Sequence, residues 1–138
     1  MANTINMQDL RHLNLFYKIT RIRTRYCFSY NNMLMFCVPK SKISQALGKN
    51  GENLRKISEI VKKRIRILAQ PRGIEDAENF IKAIISPVTF NSIEINQNEI
   101  IVNAGQQSKA ALLGRNKRRL AEMQSIIKDF FGMDYKII

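Results

Sequence analysis

Two short stretches of this chain have residue types and spacing that could hold an anion. They are Gly48-Lys49-Asn50-Gly51 and Gly114-Arg115-Asn116-Lys117, and they begin 66 residues apart. In each stretch, an apolar helix end is followed by a glycine, a cation, an asparagine and the start of a second amphipathic helix. A turn that joins two helices in four residues requires positive φ at one position or more, and glycine adopts positive φ at little steric cost. The repeat therefore predicts two copies of one tight turn.

The chemistry expected at these turns is the binding of a phosphodiester. The helix that follows each turn presents free N–H groups and the positive end of its dipole, both of which favour an anion. At the first turn, Lys49 and Asn50 add a charge and hydrogen-bond donors. Backbone and side chains together would hold a phosphate without any catalytic group.

The charge of the chain also favours a polyanionic partner. There are 23 Lys and Arg residues against 11 Asp and Glu in 138 residues, so the net charge is +12, which is typical of proteins that bind nucleic acids. Residues 11–25 carry +5, residues 40–66 carry +7 and residues 109–119 carry +5, whereas residues 74–99 carry −4. The cations are therefore concentrated around the two repeated turns.

Several other classes of protein are not favoured. No stretch approaches the roughly 18 apolar residues that a membrane-spanning helix needs, and no hydrophobic signal-peptide region is present, so we expect a cytoplasmic protein with no membrane partner. The sequence lacks a Ser, Cys and His set, paired carboxylates near the basic turns and a P-loop motif, so we expect no enzymatic activity.

Cofactor and metal sites are not expected. Cys27 and Cys37 are the two cysteines and lack a CxxC spacing, and His12 is the one histidine. A structural zinc site needs a fuller set of such ligands. We expect both cysteines to be reduced residues that pack in the interior.

The hydrophobic pattern predicts the same order of elements in each half: helix, strand, strand, helix, helix, strand. In the first half, the first four elements are predicted at residues 7–19, 26–30, 33–38 and 41–47. The fifth is a helix whose apolar face is Leu54, Ile57, Ile60 and Val61, and the sixth is a strand at residues 64–68. In the second half, the first four elements are predicted at residues 75–85, 88–95, 100–102 and 108–113. The fifth is a helix that carries Leu120, Met123, Ile126 and Ile127, and the sixth is a strand at residues 135–138. Ser41 is expected to cap the fourth element. The evident boundary is Pro71-Arg72-Gly73, so the predicted domains are residues 1–73 and 74–138.

These residues resemble a known family. Gly48-Lys49-Asn50-Gly51 between two short helices, followed by Leu54 and Ile57, looks like the GxxG element of a KH domain. The order of elements resembles the type II form of that fold, an α+β sandwich with helices packed on one face of a three-stranded sheet. Two such units with almost no linker are similar to the short archaeal homologues of the transcription factor NusA. The resemblance covers essentially the whole chain.

The resemblance implies that the chain binds single-stranded RNA, with the loop clamping about four nucleotides of backbone. It also implies a role in transcription elongation or termination, with RNA polymerase or a termination factor as a protein partner, and we expect a monomer. The RNA-binding residues expected in the first unit are Lys42, Gly48, Lys49, Asn50, Gly51, Arg55, Arg64 and Arg66. Those expected in the second unit are Gly114, Arg115, Asn116, Lys117 and Arg118.

The second turn departs from the GxxG pattern, because Lys117 stands where the second glycine is expected. If that position needs left-handed geometry, a lysine costs on the order of 1 kcal/mol, and the turn could be reshaped. Arg115, Lys117, Arg118 and Arg119 crowd this site with charge. We therefore predict that the second loop contributes electrostatic affinity more than shaped recognition.

Two alternatives remain open from the sequence. A helix, a short turn and a helix could form a DNA-binding helix-turn-helix, with residues 54–63 as the recognition helix. That module normally lies among helices, whereas here a hairpin precedes and a strand follows both copies. A KH protein of RNA processing or ribosome biogenesis would share every feature described above.

Overall fold

The computed structural model describes residues 7–138, with side chains from Asp9 onward. This part of the chain divides into two compact units, and the division falls between Gln70 and Pro71. The boundary predicted between residues 73 and 74 lies slightly further along the chain. Residues 1–6 of the predicted first domain lie outside the described residues.

The described residues form six α-helices and six strands, in the predicted order within each unit. The first unit contains α1 (Met7–Thr20), β1 (Tyr26–Tyr30), β2 (Met33–Val38), α2 (Ile43–Leu47), α3 (Glu52–Val61) and β3 (Arg64–Ala69). The second unit contains α4 (Ala77–Ile85), β4 (Ser92–Ile95), β5 (Glu99–Asn103), α5 (Gly105–Leu113), α6 (Arg118–Phe131) and β6 (Asp134–Ile137). The predicted α+β class is confirmed.

Each unit contains one three-stranded sheet with its second strand in the centre. In the first unit, β2 pairs antiparallel with β1 and parallel with β3. Asn31 and Asn32 turn the chain between β1 and β2 with φ of 53° and 61°, as in the two-residue turns that favour asparagine. In the second unit, β5 pairs antiparallel with β4 and parallel with β6. Each glycine turn therefore lies in the crossover between two parallel strands.

The core of the first unit lies between one face of its sheet and the helices. Its buried side chains come from all three helices, from two of the strands and from the segment between α1 and β1: Phe16, Ile22, Leu34, Phe36, Val38, Ala46, Ile57 and Ile65. The rings of Phe16 and Phe36 are stacked, with centroids 4.4 Å apart. Because α3 contributes Ile57 to this cluster, the helix after the first glycine turn is held against the sheet.

The second unit also buries side chains from each of its longer elements. Ile81 and Ile84 of α4, Ile100 and Val102 of β5, and Met123 and Ile127 of α6 are all at most 1% exposed. Phe80 lies near two aromatic rings at the end of α6, with its centroid 4.8 Å from that of Phe130 and 6.1 Å from that of Phe131. The predicted apolar face of this last helix is confirmed at Met123, Ile126 and Ile127.

Three local predictions are wrong. Ser41 does not cap α2, because Lys42 donates its N–H to the Pro39 carbonyl, 2.8 Å away, and closes a 3₁₀ turn that contains Ser41. The strand predicted from Val88 begins only at Ser92, because Val88 still donates its N–H to the Ile85 carbonyl at the end of α4.

The third wrong prediction concerns Ile60, which is 59% exposed. The buried stripe of α3 consists of Ile57 with half-buried Leu54 and Val61. At 3.6 residues per turn, Ile60 lies roughly 100° around the helix from Val61. The apolar pattern of the sequence therefore assigned Ile60 to the buried face of α3 incorrectly.

Among residues 7–138, none of the helices has both the length and the apolar composition required to span a bilayer.

The burial of Ile57 and the exposure of Ile60 predict very different costs for the same substitution in one helix. Ile57→Ala should lower the free energy of unfolding by about 2–5 kcal/mol, because it removes buried methyl groups and leaves a cavity. Ile60→Ala should change the free energy of unfolding by no more than about 0.5 kcal/mol. Urea denaturation followed by circular dichroism measures both. Equal losses would contradict the described orientation of α3.

Candidate nucleic-acid interface

The first glycine turn joins α2 to α3 through three residues with positive φ. Gly48 has φ 78° and ψ 176°, Asn50 has φ 55° and ψ 30°, and Gly51 has φ 72° and ψ 21°. Two backbone hydrogen bonds of 3.1 Å hold the turn, from the Gly48 N–H to the Ser44 carbonyl and from the Gly51 N–H to the Gly48 carbonyl. The side chains of Lys49 and Asn50 are exposed at its tip.

The second turn has almost the same backbone. Gly114 has φ 76° and ψ 172°, Asn116 has φ 55° and ψ 29°, and Lys117 has φ 58° and ψ 29°. The Lys117 N–H again donates to the carbonyl of the first glycine, at 3.1 Å. The fourth position therefore does need left-handed geometry, but the turn is not reshaped. Lys117 adopts that geometry at a cost on the order of 1 kcal/mol.

The two glycine positions of the turn are constrained differently. The combination at Gly48 and Gly114, positive φ with ψ near 180°, is a region that essentially only glycine occupies. A Cβ at Gly48 would also lie 2.8 Å from Asn53 Cγ, whereas a Cβ at Gly51 would meet no atom closer than 3.7 Å. The fourth position thus requires only the left-handed conformation, which explains how Lys117 fits there.

A side chain five residues after each first glycine packs beneath the turn. In the first unit this is Asn53, which donates from Nδ2 to the Gln45 carbonyl at 3.2 Å. In the second unit it is Arg119, whose Cγ would lie 2.5 Å from a Cβ at Gly114. Neither residue is predicted from the sequence as a support of the turn. The shared position, five residues after a glycine in both copies, is the signal that could have revealed them.

Arg119 is consequently not a solvated cation. Its side chain is only 11% exposed, and its Nε lies 3.0 Å from Glu122 Oε1. Arg118, Arg115 and Lys117 are exposed at the same turn. The second loop therefore presents three cations to solvent and uses the fourth to support its own backbone.

The first loop is supported by a different arginine. Arg55 donates from Nη1 to the Asn50 carbonyl at 2.5 Å, although its side chain is exposed. Ala121 occupies the matching position of the second unit, 66 residues later. Each copy of the turn therefore uses one arginine as a support, at a different place.

The helix N-termini at both turns are suited to an anion. Neither Gly51 before α3 nor Lys117 before α6 makes a side-chain cap hydrogen bond. The first N–H groups of a helix have no intrahelical acceptor, and the dipole is positive at this end. The first residue of α3 is Glu52, paired with Lys56 at 3.5 Å, whereas the first residue of α6 is Arg118. The second turn is therefore the more basic of the two.

The other predicted residues lie at different distances from the turns. Lys42 is exposed immediately before α2, so the five residues of α2, about 8 Å, separate it from Gly48. Arg64 begins β3, after the ten residues of α3, which span about 15 Å. Arg64 and Arg66 alternate with Ile65 and Ile67 of the core, so their side chains lie on the sheet face away from the helices. The structure does not bring these two arginines to the turn.

One cluster of potential metal ligands lies outside the turns. Asp9, His12 and Cys27 each offer one ligand atom, and these atoms lie within 4.8 Å of one another. A search of the sequence for His and Cys alone misses this cluster, because one of its members is an aspartate. His12 Nδ1 is buried without a hydrogen-bond partner among the described residues.

Burial and two nearby charges shift the pKa values of His12 and Cys27 in this cluster. Burial lowers the pKa of His12, while Asp9 raises it and the charge of Lys63 lowers it further. Burial raises the pKa of Cys27 to about 12, and the same Lys63 opposes that shift. Asp9 also raises the pKa of Cys27, so Asp9 and Lys63 act on both groups in opposite directions. Cys27 and Cys37 are both free thiols, and burial raises the pKa of Cys37 as well.

The fold of this chain is similar to that of a solved structure. The crystal structure of the protein APE1850 matches with a TM-score of 0.68, and the match covers 97% of this chain and 99% of that one at 21% identity. The α+β architecture of this chain, with a three-stranded sheet in each unit, is consistent with a KH-like fold. No protein-family model matches the chain.

The sequence is similar to archaeal proteins named "Probable transcription termination protein NusA". The Thermoplasma acidophilum protein is 22% identical over 95% of this chain and 92% of its own length. The Halococcus morrhuae protein is 26% identical over 94% and 97%, and that of Methanococcus vannielii is 27% identical over 74% and 58%. The expected resemblance is confirmed: the chain is NusA-like, and the relatives are archaeal.

The conformation of Gly114 predicts that a methyl group there is more damaging than one at Gly132, whose conformation is left-handed. Gly114→Ala should destabilise the second unit by about 1–3 kcal/mol more than Gly132→Ala, because overpacking against Arg119 is added to the backbone strain. Gly132, at the end of α6, has φ 66°, but a Cβ added there would meet no atom within 4 Å. Denaturant titration compares the two variants. Equal destabilisation would show that the contact with Arg119 does not constrain the turn.

Proposed function

We propose that this chain binds single-stranded RNA through its two glycine turns and acts, without catalysis, in transcription elongation or termination on nascent RNA. The observation that carries the proposal is the duplication of one glycine turn at the N-terminus of a helix. Among the three positions with positive φ, the largest difference between the copies is at the fourth position of the turn, 72° at Gly51 against 58° at Lys117. Positively charged side chains are exposed at both copies.

The architecture supports the finer assignment of two tandem type II KH units. Each unit has the order helix, strand, strand, helix, helix, strand, and the turn lies between the second and third helices. In KH domains the GxxG loop clamps about four nucleotides of backbone. Gly48 to Gly51 would form the principal clamp, with Lys49 and Asn50 at its tip. Gly114 to Lys117 would extend the same kind of contact with Arg115 and Arg118.

The backbone can supply most of the specificity for phosphate. Donors at the start of α3 and α6 are oriented by the helices, so a phosphate oxygen can replace the water that solvates them. Lys42 and Lys49 add charge on the α2 side of the first turn. The proposal rests on these groups and not on Arg64 and Arg66, which lie in β3.

The named relatives support the role in transcription. Two archaeal proteins called probable transcription termination protein NusA align with at least 94% of this chain. RNA polymerase or a termination factor is the protein partner that such a role requires. The helix-turn-helix alternative receives less support, because α2 and α3 lie between β2 and β3 of one sheet.

The clamp at the first turn predicts a specific loss of RNA binding. Changing Lys49 and Asn50 to Asp should abolish binding of a fluorescent 12-nucleotide RNA, because it places negative charge where phosphates are held. Asp tolerates the left-handed backbone of Asn50, so the fold should persist. For the unaltered protein, contact with about four phosphates predicts that log affinity falls against log salt with a slope near −3. Fluorescence anisotropy measures both quantities.

A matched control separates the turn from the net charge. Gln97→Asp with Lys136→Asp makes the same change in charge on exposed residues of the β4–β5 turn and β6. This control should retain most of the affinity. Equal loss in both variants, or an affinity that does not change with salt, would reject the loop assignment. Stronger binding to duplex DNA of the same length would favour the helix-turn-helix alternative.

The role in transcription predicts which RNA the protein contacts in cells. Crosslinking followed by sequencing of the attached RNA should show enrichment across nascent transcripts, and RNA polymerase should copurify. Enrichment on ribosomal RNA alone would instead indicate RNA processing or ribosome biogenesis, with RNA binding itself unchanged.

A further inference from the structure

Two arginines converge on one tyrosine at the end of α1. The Cζ atoms of Arg23 and Arg21 lie 4.4 Å and 5.8 Å from the centre of the Tyr17 ring. Both arginines are exposed. Within the part of the chain whose side chains are described, no carboxylate forms an ion pair with either guanidinium. We call Tyr17, Arg21 and Arg23 the arginine cluster.

A short series of contacts connects the arginine cluster to the first glycine turn. Thr20, the last residue of α1, accepts a hydrogen bond at its carbonyl from Gln45 Nε2 on α2, at 3.4 Å. The Gln45 carbonyl accepts from Asn53, the residue that packs beneath Gly48. Arg21 follows Thr20 directly. The cluster therefore lies beside α2, at the same end of the first unit as the turn.

The segment from α1 to β1 is held in place by residues other than its arginines. Ile22 is 2% exposed, and its N–H donates to Thr20 Oγ1 at 3.1 Å. The Thr24 hydroxyl donates to the Cys37 carbonyl. Arg21, Arg23 and Arg25 alternate with Ile22 and Thr24 and are exposed. Their charges are therefore not needed to fix the segment.

The second unit provides an internal comparison. Its corresponding segment, between α4 and β4, runs from Ser86 to Asn91 and contains no Lys or Arg. The same order of elements forms without cations at this place. The three arginines are a property of the first unit and not a requirement of the fold.

We propose that the arginine cluster is an accessory binding site for single-stranded RNA next to the first glycine turn, which deepens and rests on the function proposed above. The guanidinium groups of Arg21 and Arg23 contact one or two phosphates beyond those held by the turn. Arginine forms paired hydrogen bonds with phosphate, and its planar group also stacks on bases and aromatic rings. Contact with Tyr17 restricts the guanidinium before RNA arrives, which reduces the entropy lost on binding.

The site predicts an effect that depends on RNA length. A tetranucleotide occupies the turn alone, whereas a 12-nucleotide RNA also reaches the arginine cluster. Arg21→Gln with Arg23→Gln should leave tetranucleotide affinity within about twofold of the unaltered protein. The same variant should weaken 12-nucleotide binding by about tenfold, and it should reduce the salt slope by roughly 1.4, which corresponds to two phosphate contacts on a single strand. Fluorescence anisotropy with both RNAs measures these values.

The control removes two exposed cations elsewhere. Lys128→Gln with Lys136→Gln, in α6 and β6, should retain affinity for both RNAs within about twofold. The melting temperature of each variant, from circular dichroism, confirms that the fold is kept. Tyr17→Leu should weaken only 12-nucleotide binding, and Tyr17→Phe should preserve it.

The outcomes separate this inference from the proposed function. If the unaltered protein binds neither RNA, both are overturned. If the unaltered protein binds both RNAs and the Arg21 and Arg23 variant matches it on the longer one, only the accessory site is overturned. Equal weakening on both RNAs would show a general effect of charge and would also overturn the accessory site.

Discussion

The conformation of Gly48, repeated at Gly114, is the constraint on which the rest of each unit depends. Positive φ with ψ near 180° ends one helix and starts the next within a few residues, and a side chain at this position would meet both strain and a neighbouring residue. The turn directs α3 back over the sheet, where Ile57 is buried, and α3 leads the chain to β3. It also leaves the N-terminus of α3 exposed. The fold and the proposed anion site therefore follow from the same few backbone angles.

Much of the fold was predictable because its main signals are local. Alternating apolar residues predicted the β1–β2 hairpin, and Asn31 and Asn32 predicted its turn. Apolar residues at helical spacing predicted α1 and α6. The errors occur where local pattern and packing diverge. Val88 and Phe90 have the alternating spacing of a strand, although Val88 is hydrogen-bonded to the end of α4. Ile60 continues the apolar pattern of α3, although its side chain is exposed.

The candidate site was less predictable, because adjacent residues of the same type have different roles. Arg118 is exposed, whereas Arg119 lies beneath Gly114 and pairs with Glu122. A count of charges in the sequence does not show that one of these arginines is exposed and the other is buried. Arg55 and Ala121 occupy matching positions, yet only the first supports its turn. Lys117 showed from sequence that the pattern was broken, but its left-handed backbone became evident only in the structure. The two turns thus share a backbone and differ in which cations are available to a ligand.

The parallel pairing within each sheet has a consequence for the order of folding. Met33 pairs with Arg64, 31 positions further along the chain, so β2 and β3 can meet only after a long loop closes. The first turn adopts its final position when β2 and β3 pair, which occurs later than the formation of the local β1–β2 hairpin. During synthesis, N-terminal domains generally fold first. The first turn can therefore form before the chain beyond Pro71 has been completed, and the two turns form one after the other.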